Sequence, residues 1–545
     1  MKTTISFLIA MVMVTALFAA QPGVAPSNPA FLEYMENAEK GTLTKTTRDG
    51  HTLGYIPSPI RRNPTIGTVK DTPKLPTSYD LRMLNFMTGV RNQGNCGSCW
   101  TFATMGSIES IRLVKSEGTW DLSENNMKQN HGFEWGACWG GNADMATAYL
   151  SRGDGAILEA DDPYTELDQS NWNYNPPVMY MTDACYLPND IAAIKQAIYD
   201  NGAVYSTMYW DDPSYNSSNY TYYYSGSEPL NHCITLAGWD DNKVTSGGTG
   251  AWIVKNSWGA SWGENGYFYI SYNDTQVNTE VCYWPDKINY DPQRVIQNYD
   301  YFGETAYFGY GSTNTSYAMV RFSPPVSYTL SKLGTYAFEA GTTIKFEVYG
   351  FFDGLMYDAL IAETNTHVVD KGGYVTLDLN VPVSVYAGGE FFVKVYYNTP
   401  GYTFPIPVEQ YVSGYAHANI ESNVFWISRD GASGVMWDRM GSDTSWAFDP
   451  CVKAYGTIPA APTDLTTSIE ANDFVITWPH VFGAASYSVY CSDEPYGIYN
   501  LDMEGMLDIY TPSFRTPMDY RKKFYYIIAT NPKSEVSEQI RITKR

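Results

Sequence analysis

A cysteine placed to act as a nucleophile stands in the run Gln93-Gly94-Asn95-Cys96-Gly97-Ser98-Cys99-Trp100. Behind it Trp100, Phe102, Met105, Ile108, Ile111 and Val114 recur at helical spacing until Gly118, so Cys99 reads as the start of a buried helix. Unpaired amides and the positive end of the helix dipole favour thiolate there, and a histidine alongside would complete a thiolate–imidazolium pair. Gly94 and Gly97 let the backbone turn tightly beneath the sulfur. Two other chemistries suit a Cys96-x-x-Cys99 pair, namely dithiol redox and half of a zinc site. Against zinc, there is no second C-x-x-C and the chain has six histidines; against redox, a loop and not a strand precedes the motif.

Two later segments supply partners. Asn231-His232-Cys233-Ile234 runs into Gly238-Trp239-Asp240, and Trp252-Ile253-Val254-Lys255-Asn256-Ser257-Trp258-Gly259 runs on to Trp262-Gly263-Glu264-Asn265-Gly266-Tyr267. The C-G-S-C-W run, the order Gln, Cys, His, Asn and these flanking residues resemble the papain-like cysteine peptidases, and the resemblance covers about residues 76–286. It implies that Cys99 attacks a peptide carbonyl and His232 later protonates the leaving amine. It further implies that Asn256 orients the imidazole, that Trp258 shields that hydrogen bond, and that Gln93 with the Cys99 amide forms the oxyanion hole. Gly140 and Gly141, in Cys138-Trp139-Gly140-Gly141-Asn142, would pair with an extended substrate backbone, Gly141 most directly. Ala143, Thr207 and Leu230 are the expected walls of the selective pocket.

The resemblance also implies a Cys96–Cys138 disulfide. A second family bridge is not expected, because Asn130 stands where its first cysteine belongs; Cys185, Cys233 and Cys282 are left without assigned partners. Cys233 reads as a buried thiol on an apolar strand. No cofactor and no metal are expected.

The elements that must position these residues follow helices first, strands second. Asn189-Asp190 caps a helix through Ile191, Ile194 and Ile198 that stops at Gly202, and strands are expected over Ile234–Trp239, Trp252–Lys255 and Tyr267–Tyr272. Tyr215, Tyr220, Tyr222, Tyr223 and Tyr224 fill a loop from Asp211 to Pro229 that precedes His232; it reads either as a gate or glycan contact over the cleft, or as an aromatic loop packed on itself. Upstream, residues 21–75 are polar, and Pro57, Pro59, Pro64, Pro73 and Pro76 exclude long helices there. This is the expected pro-segment, with Gly54-Tyr55-Ile56-Pro57-Ser58-Pro59 lying in the cleft and Arg61-Arg62 and the stretch to Pro76 exposed as candidates for removal.

Downstream, alternation in Ile344, Phe346 and Val348, then in Val393, Val395 and Tyr397, predicts a β-sandwich over 287–456, after the bacterial papain-like proteins that carry a lectin-like module. Beyond a Pro-rich joint at 459–462, the region 457–545 resembles a fibronectin type III module. The fold class is therefore α+β: a two-part papain-like peptidase over 76–286 followed by two β-sandwiches, with the C-terminal half expected to be separable from catalysis.

Met1-Lys2, the apolar run Ile5–Phe18 and Ala19-Ala20 read as a signal peptide over 1–20, too short to span a bilayer. With 35 basic against 58 acidic residues the net charge is −23, which argues against nucleic-acid and anionic-membrane partners. The expectation is a secreted cysteine endopeptidase, made as a zymogen, acting on protein or peptide substrates. The alternative is a cell-surface or carbohydrate-binding protein carrying an exopeptidase or transpeptidase version of the site.

Overall fold

A computed structural model describes residues 22–43, 45–65, 67, 74–168 and 175–458, and within the last module 462–481, 484, 486–492, 500–501, 509–518 and 523–530. The apolar run before Ala20 and positions 459–461 of the Pro-rich joint lie outside these residues.

The peptidase region has two halves. Helices α2 (Cys99–Val114), α3 (Glu124–Asn130) and α4 (Ala143–Ser151) pack on one side. The other half is a nine-stranded sheet in which Val204–Met208, His232–Thr245, Gly248–Lys255 and Tyr267–Ser271 are successive neighbours, with α5 (Ile191–Asn201) against His232–Thr245. Asp190 caps α5 by accepting from the Ala193 amide, and Gly202 ends it. Helix α2 is buried along almost its whole length, from Cys99 to Arg112. It therefore forms the wall between the halves, with its first residue at their seam.

Upstream, the prolines from Pro57 onward do not govern the whole of residues 21–75. Helix α1 (Pro29–Lys40) precedes them, opened by the Asn28 side chain and Pro29, closed by Gly41 in the left-handed conformation.

Over 294–457 the chain is all β. A four-stranded sheet, Arg294–Gln297, Val452–Thr457, Tyr328–Ala337 and Gly373–Val385, and a seven-stranded sheet containing Thr343–Tyr349, Phe391–Asn398, Thr315–Phe322 and Ser422–Ser428 share one apolar core. Ile344, Phe346, Val348, Val393, Val395 and Tyr397 all point into it, which is the physical meaning of the alternation. In the last module two three-stranded sheets enclose Ile476, Trp478, Tyr487, Val489 and Phe514.

The expected separation of the C-terminal half does not hold. One continuous core contains Trp100, Met145 and Tyr149 of the peptidase region together with Phe302, Tyr336, Tyr374, Tyr415 and Tyr455 of the sandwich. Backbone bonds cross the joint at Ala184 N–Tyr374 O (2.9 Å) and Tyr186 N–Gly372 O (2.9 Å), and the Tyr455 hydroxyl donates to the Ser151 carbonyl (3.1 Å). Buried apolar contact of this kind packs the two regions against each other.

Candidate active site

Cys99 and His232 meet where α2 abuts the strand His232–Thr245. Both are fully buried. His232 Nε2 lies 2.9 Å from Asn256 Oδ1. Because an amide oxygen only accepts, and Asn256 Oδ1 also accepts from the Ser257 amide at 2.9 Å, the hydrogen sits on Nε2 and Nδ1 is left for the Cys99 sulfur. Trp258 stacks on the His232 ring (centroids 4.9 Å, 25°) and is 3% exposed, so water is kept from the His–Asn bond.

Burial alone would push the Cys99 thiol up. A hydrogen bond from the Cys233 side chain and the positive charge of His232 outweigh it and hold the thiol well below its ordinary range. The Cys233 amide adds a contact of 3.4 Å to the sulfur. Cys233 itself is driven the opposite way by burial and by the neighbouring Cys99, and its sulfur accepts from Tyr205 at 3.0 Å. Cys99 and Cys233, 134 residues apart in sequence but adjacent in space, are thus chemically distinct thiols.

Gln93 is rigidly mounted. Its amide donates to the Ser257 carbonyl (2.8 Å), its Oε1 accepts from the Ser257 hydroxyl (2.5 Å) and its carbonyl accepts from Tyr164 (2.8 Å). That fixes Nε2 as a donor, which reaches the Cys96 carbonyl (2.8 Å) and the Thr52 carbonyl (2.7 Å). Cys96 and Cys138 are joined by a disulfide that closes a loop of 42 residues, a constraint of about 4 kcal/mol on chain-entropy grounds. Of the two glycines beneath the sulfur, Gly94 does take a left-handed φ (+58°). Gly97 is required for another reason: a Cβ there would come within 2.5 Å of the Cys138 carbonyl.

The N-terminal segment lies along the cleft. The Tyr55 amide donates to Asn231 O, the Ile56 amide to Gly141 O and the Gly141 amide to Gly54 O, at 3.0–3.2 Å. Gly54 passes so close to the loop before Cys99 that a Cβ on it would stand 2.0 Å from the Gly97 carbonyl. The expected pairing surface at Gly141 is therefore present, and residues 54–56 fill it. Arg62 departs from expectation. It is enclosed against Asp144 and Glu304 and is not exposed for processing.

Tyr55 identifies the pocket beside Gly141. Its ring joins Ala143, Cys233 and Leu230 in one apolar cluster, and its hydroxyl donates to Glu280 Oε1 at 2.9 Å. Thr207 contributes through its hydroxyl, which accepts from the Glu280 amide (3.0 Å). Leu230 also lines a cavity of about 110 Å³ shared with Leu53, Tyr55 and Trp139. Glu280 was missed from sequence. Burial first, and then the nearby Asp144 charge, push its carboxyl up to about 7. In the tyrosine loop, Tyr215 and Tyr222 pack with Trp210, Trp262 and Phe268 beneath Trp258, and Asp212 accepts from the Arg48 amide of the N-terminal segment. Among the described residues no group of three or more His, Cys, Asp and Glu is placed to hold a metal ion.

The family described as papain family cysteine protease matches residues 75–284. Digestive cysteine proteinase 1 of Homarus americanus is 30% identical over 241 residues, 42% of this chain and 73% of that protein. The chain belongs to the papain family of cysteine proteases. Further relatives of this papain-family chain include a cathepsin L-like peptidase of Aedes aegypti (31% identical, 38% of this chain) and procathepsin L of Mus musculus (32%, 36% of this chain). The match spans 63% and 61% of those two proteins' own lengths. Residues 296–456 match a lectin-like domain. The crystal structure of the cysteine protease and lectin-like domains of Cwp84, a surface layer associated protein of Clostridium difficile, superposes with a TM-score of 0.68 at 22% identity. It covers 80% of this chain and 98% of that one, and shows that the two-module fold is shared.

Proposed function

We propose that this chain is a secreted cysteine endopeptidase held latent by its own residues 22–65. In this reading the Cys99 thiolate attacks a peptide carbonyl, whose oxygen takes the position of the Thr52 carbonyl on Gln93 Nε2. His232 delivers its Nδ1 proton to the departing amine, the acyl group stays on Cys99, and water then releases it with His232 as base. Asn256 keeps the imidazole turned for both steps, and Trp258 keeps that contact dry. Gly141 holds the substrate backbone, and Ala143, Thr207, Leu230 and Glu280 receive the side chain that Tyr55 now imitates. Residues 1–20 are the export signal and 21–75 the pro-segment of this reading; the sandwich over 287–456 contacts a glycan or cell-surface ligand.

One observation carries the proposal: the chain's own Thr52–Ile56 lies against Gln93, Gly97 and Gly141 and engages the Gln93 side-chain amide and both main-chain groups of Gly141 that a substrate would need. The test is hydrolysis of a denatured protein mixture by the full chain before and after removal of residues 22–65. Turnover that appears on removal and disappears with Cys99→Ala is expected. Equal turnover in the intact chain would refute latency, and none in either form would refute the peptidase.

A further inference from the structure

The pro-segment is gripped outside the cleft as well as in it, and the sandwich supplies part of that grip. Gly23 and Val24 pair antiparallel with Gly309 and Phe308, at the edge of the sheet formed by Ala306–Gly309, Ile406–Glu409 and Asp449–Pro450. The Ala25 amide donates to the Tyr307 carbonyl at 2.8 Å. Helix α1 sets Phe31 edge-on against Tyr415, 5.5 Å between centroids. At the far end, the Arg62 guanidinium lies over the Tyr186 ring (4.1 Å), 2.9 Å from Asp144 of α4, and bonded to Glu304 of the sandwich. The Arg62, Asp144 and Glu304 side chains are 8%, 6% and 2% exposed. Withdrawing Arg62 would leave two acids buried without their cation, so this contact resists opening.

We propose that the lectin-like module is a working half of the latency device: its sheet edge and Glu304 are a docking surface for residues 22–62 of the same chain. The inference rests on the inhibitory reading of that segment and goes beyond it. The clasp contacts just described precede Asn63, while Gly67 beyond it donates to the Asp370 carbonyl (3.3 Å), and Asn63 and Thr65 between them are exposed. A cut just beyond Arg62 therefore severs the chain without loosening the grip. The freed segment is still held at two bodies, and bivalent attachment keeps it at high effective concentration over Cys99. Cleavage and activation are separate events, and the second requires the clasp to open.

The experiment uses the full chain and a thiol-directed epoxide at neutral pH, with cleavage monitored by mass. Glu304→Gln and Ala25→Pro are each expected to raise the labelling rate of Cys99 in the uncut chain at least about tenfold. Cys99→Ser should stay unlabelled. In wild type nicked within the stretch 63–65 by limited proteolysis, the fragment from residue 22 to the cut should co-elute with the body on gel filtration; in both variants it should be lost. Ala25→Pro leaves the module's sequence intact, so it decides the matter if Glu304→Gln fails to fold. Wild-type labelling and fragment retention in Ala25→Pro would overturn the proposal. If wild type freed of 22–65 in denaturant and refolded does not label at Cys99, the peptidase reading falls and takes this one with it.

Discussion

The carbonyl oxygen of Thr52 accepts a 2.7 Å hydrogen bond from Nε2 of Gln93, the donor that Ser257 and Tyr164 hold in place. A residue of the chain's own N-terminal segment thus rests where an oxyanion would form. Gln93→Ala should lower kcat/KM of the pro-segment-free enzyme roughly a hundredfold or more, the usual loss for one oxyanion donor. An unchanged kcat/KM would remove Gln93 from the site.

Cys99 and Cys233 are in contact but oppositely tuned, the first held as thiolate and the second kept as thiol. Cys99→Ala should therefore abolish both peptide hydrolysis and epoxide labelling, while Cys233→Ala keeps labelling at position 99. Loss of His232 should be nearly as damaging as loss of Cys99, and the double variant no worse than either, because the pair acts as one unit. Losses that multiply in His232→Ala/Cys99→Ala would break the pairing.

Glu280 sits half-buried at the end of the pocket that Tyr55 fills. An acid there favours substrate side chains that can donate to it, tyrosine or a basic residue, over leucine. Glu280→Leu should reverse that order, costing the donor side chains roughly ten- to a hundredfold in kcat/KM, the worth of a hydrogen bond to a charged or polar partner in a dry site. A peptide library profile that is the same for wild type and Glu280→Leu would refute the assignment.

The same carboxyl sets a pH dependence. Burial raises Glu280 to about 7 while Tyr55 covers it. A carboxyl raised in the closed form binds its proton more tightly there than when opened to water. Its contribution to closure is complete below the ordinary carboxylate range and is lost as pH climbs through about 7. Amide-exchange protection of residues 51–62, corrected for intrinsic rates, should fall between pH 5.5 and 8, and fall less in Glu280→Gln. Protection that grows with pH would show that the sign is wrong.

The juxtaposition of Gln93, Cys99, His232 and Asn256 was legible because each lies in a run whose neighbours are fixed by local demands: a helix start, a buried strand, a shielding tryptophan. Glu280 and Arg62 were not. Their decisive contacts bridge 225 residues to Tyr55 and 242 residues to Glu304, and nothing local distinguishes a buried acid from a surface one. Helix α1 carried its signals in Asn28, Pro29 and Gly41, but the later prolines set the tone of that segment. The shared core was hidden for a similar reason. Tyr415 and Tyr455 are ordinary residues of a β region until the fold sets them against Asn142 and Ser151.

That shared core predicts the outcome of truncation. A chain ending near residue 286 keeps every group proposed for catalysis, yet it strips Phe302 from Phe133 (centroids 4.9 Å) and Tyr415 from Phe133 (5.0 Å). It also removes the Tyr301 carbonyl from Arg152 (2.7 Å), the Tyr415 hydroxyl from Asn142 (3.0 Å), and the main-chain partners of Ala184 and Tyr186. Exposing several aromatic residues at roughly 1.5–3 kcal/mol each exceeds the margin by which most domains are folded. The truncated chain should aggregate or melt at least about 10 °C below one ending near residue 458, whose sandwich is whole. Asn142 caps α4 beside Gly141, so the damage should reach the cleft and reduce turnover even in the soluble fraction. Equal melting temperatures and equal kcat/KM for the two chains would show that the crossing contacts carry no stability, and that the two regions fold independently after all.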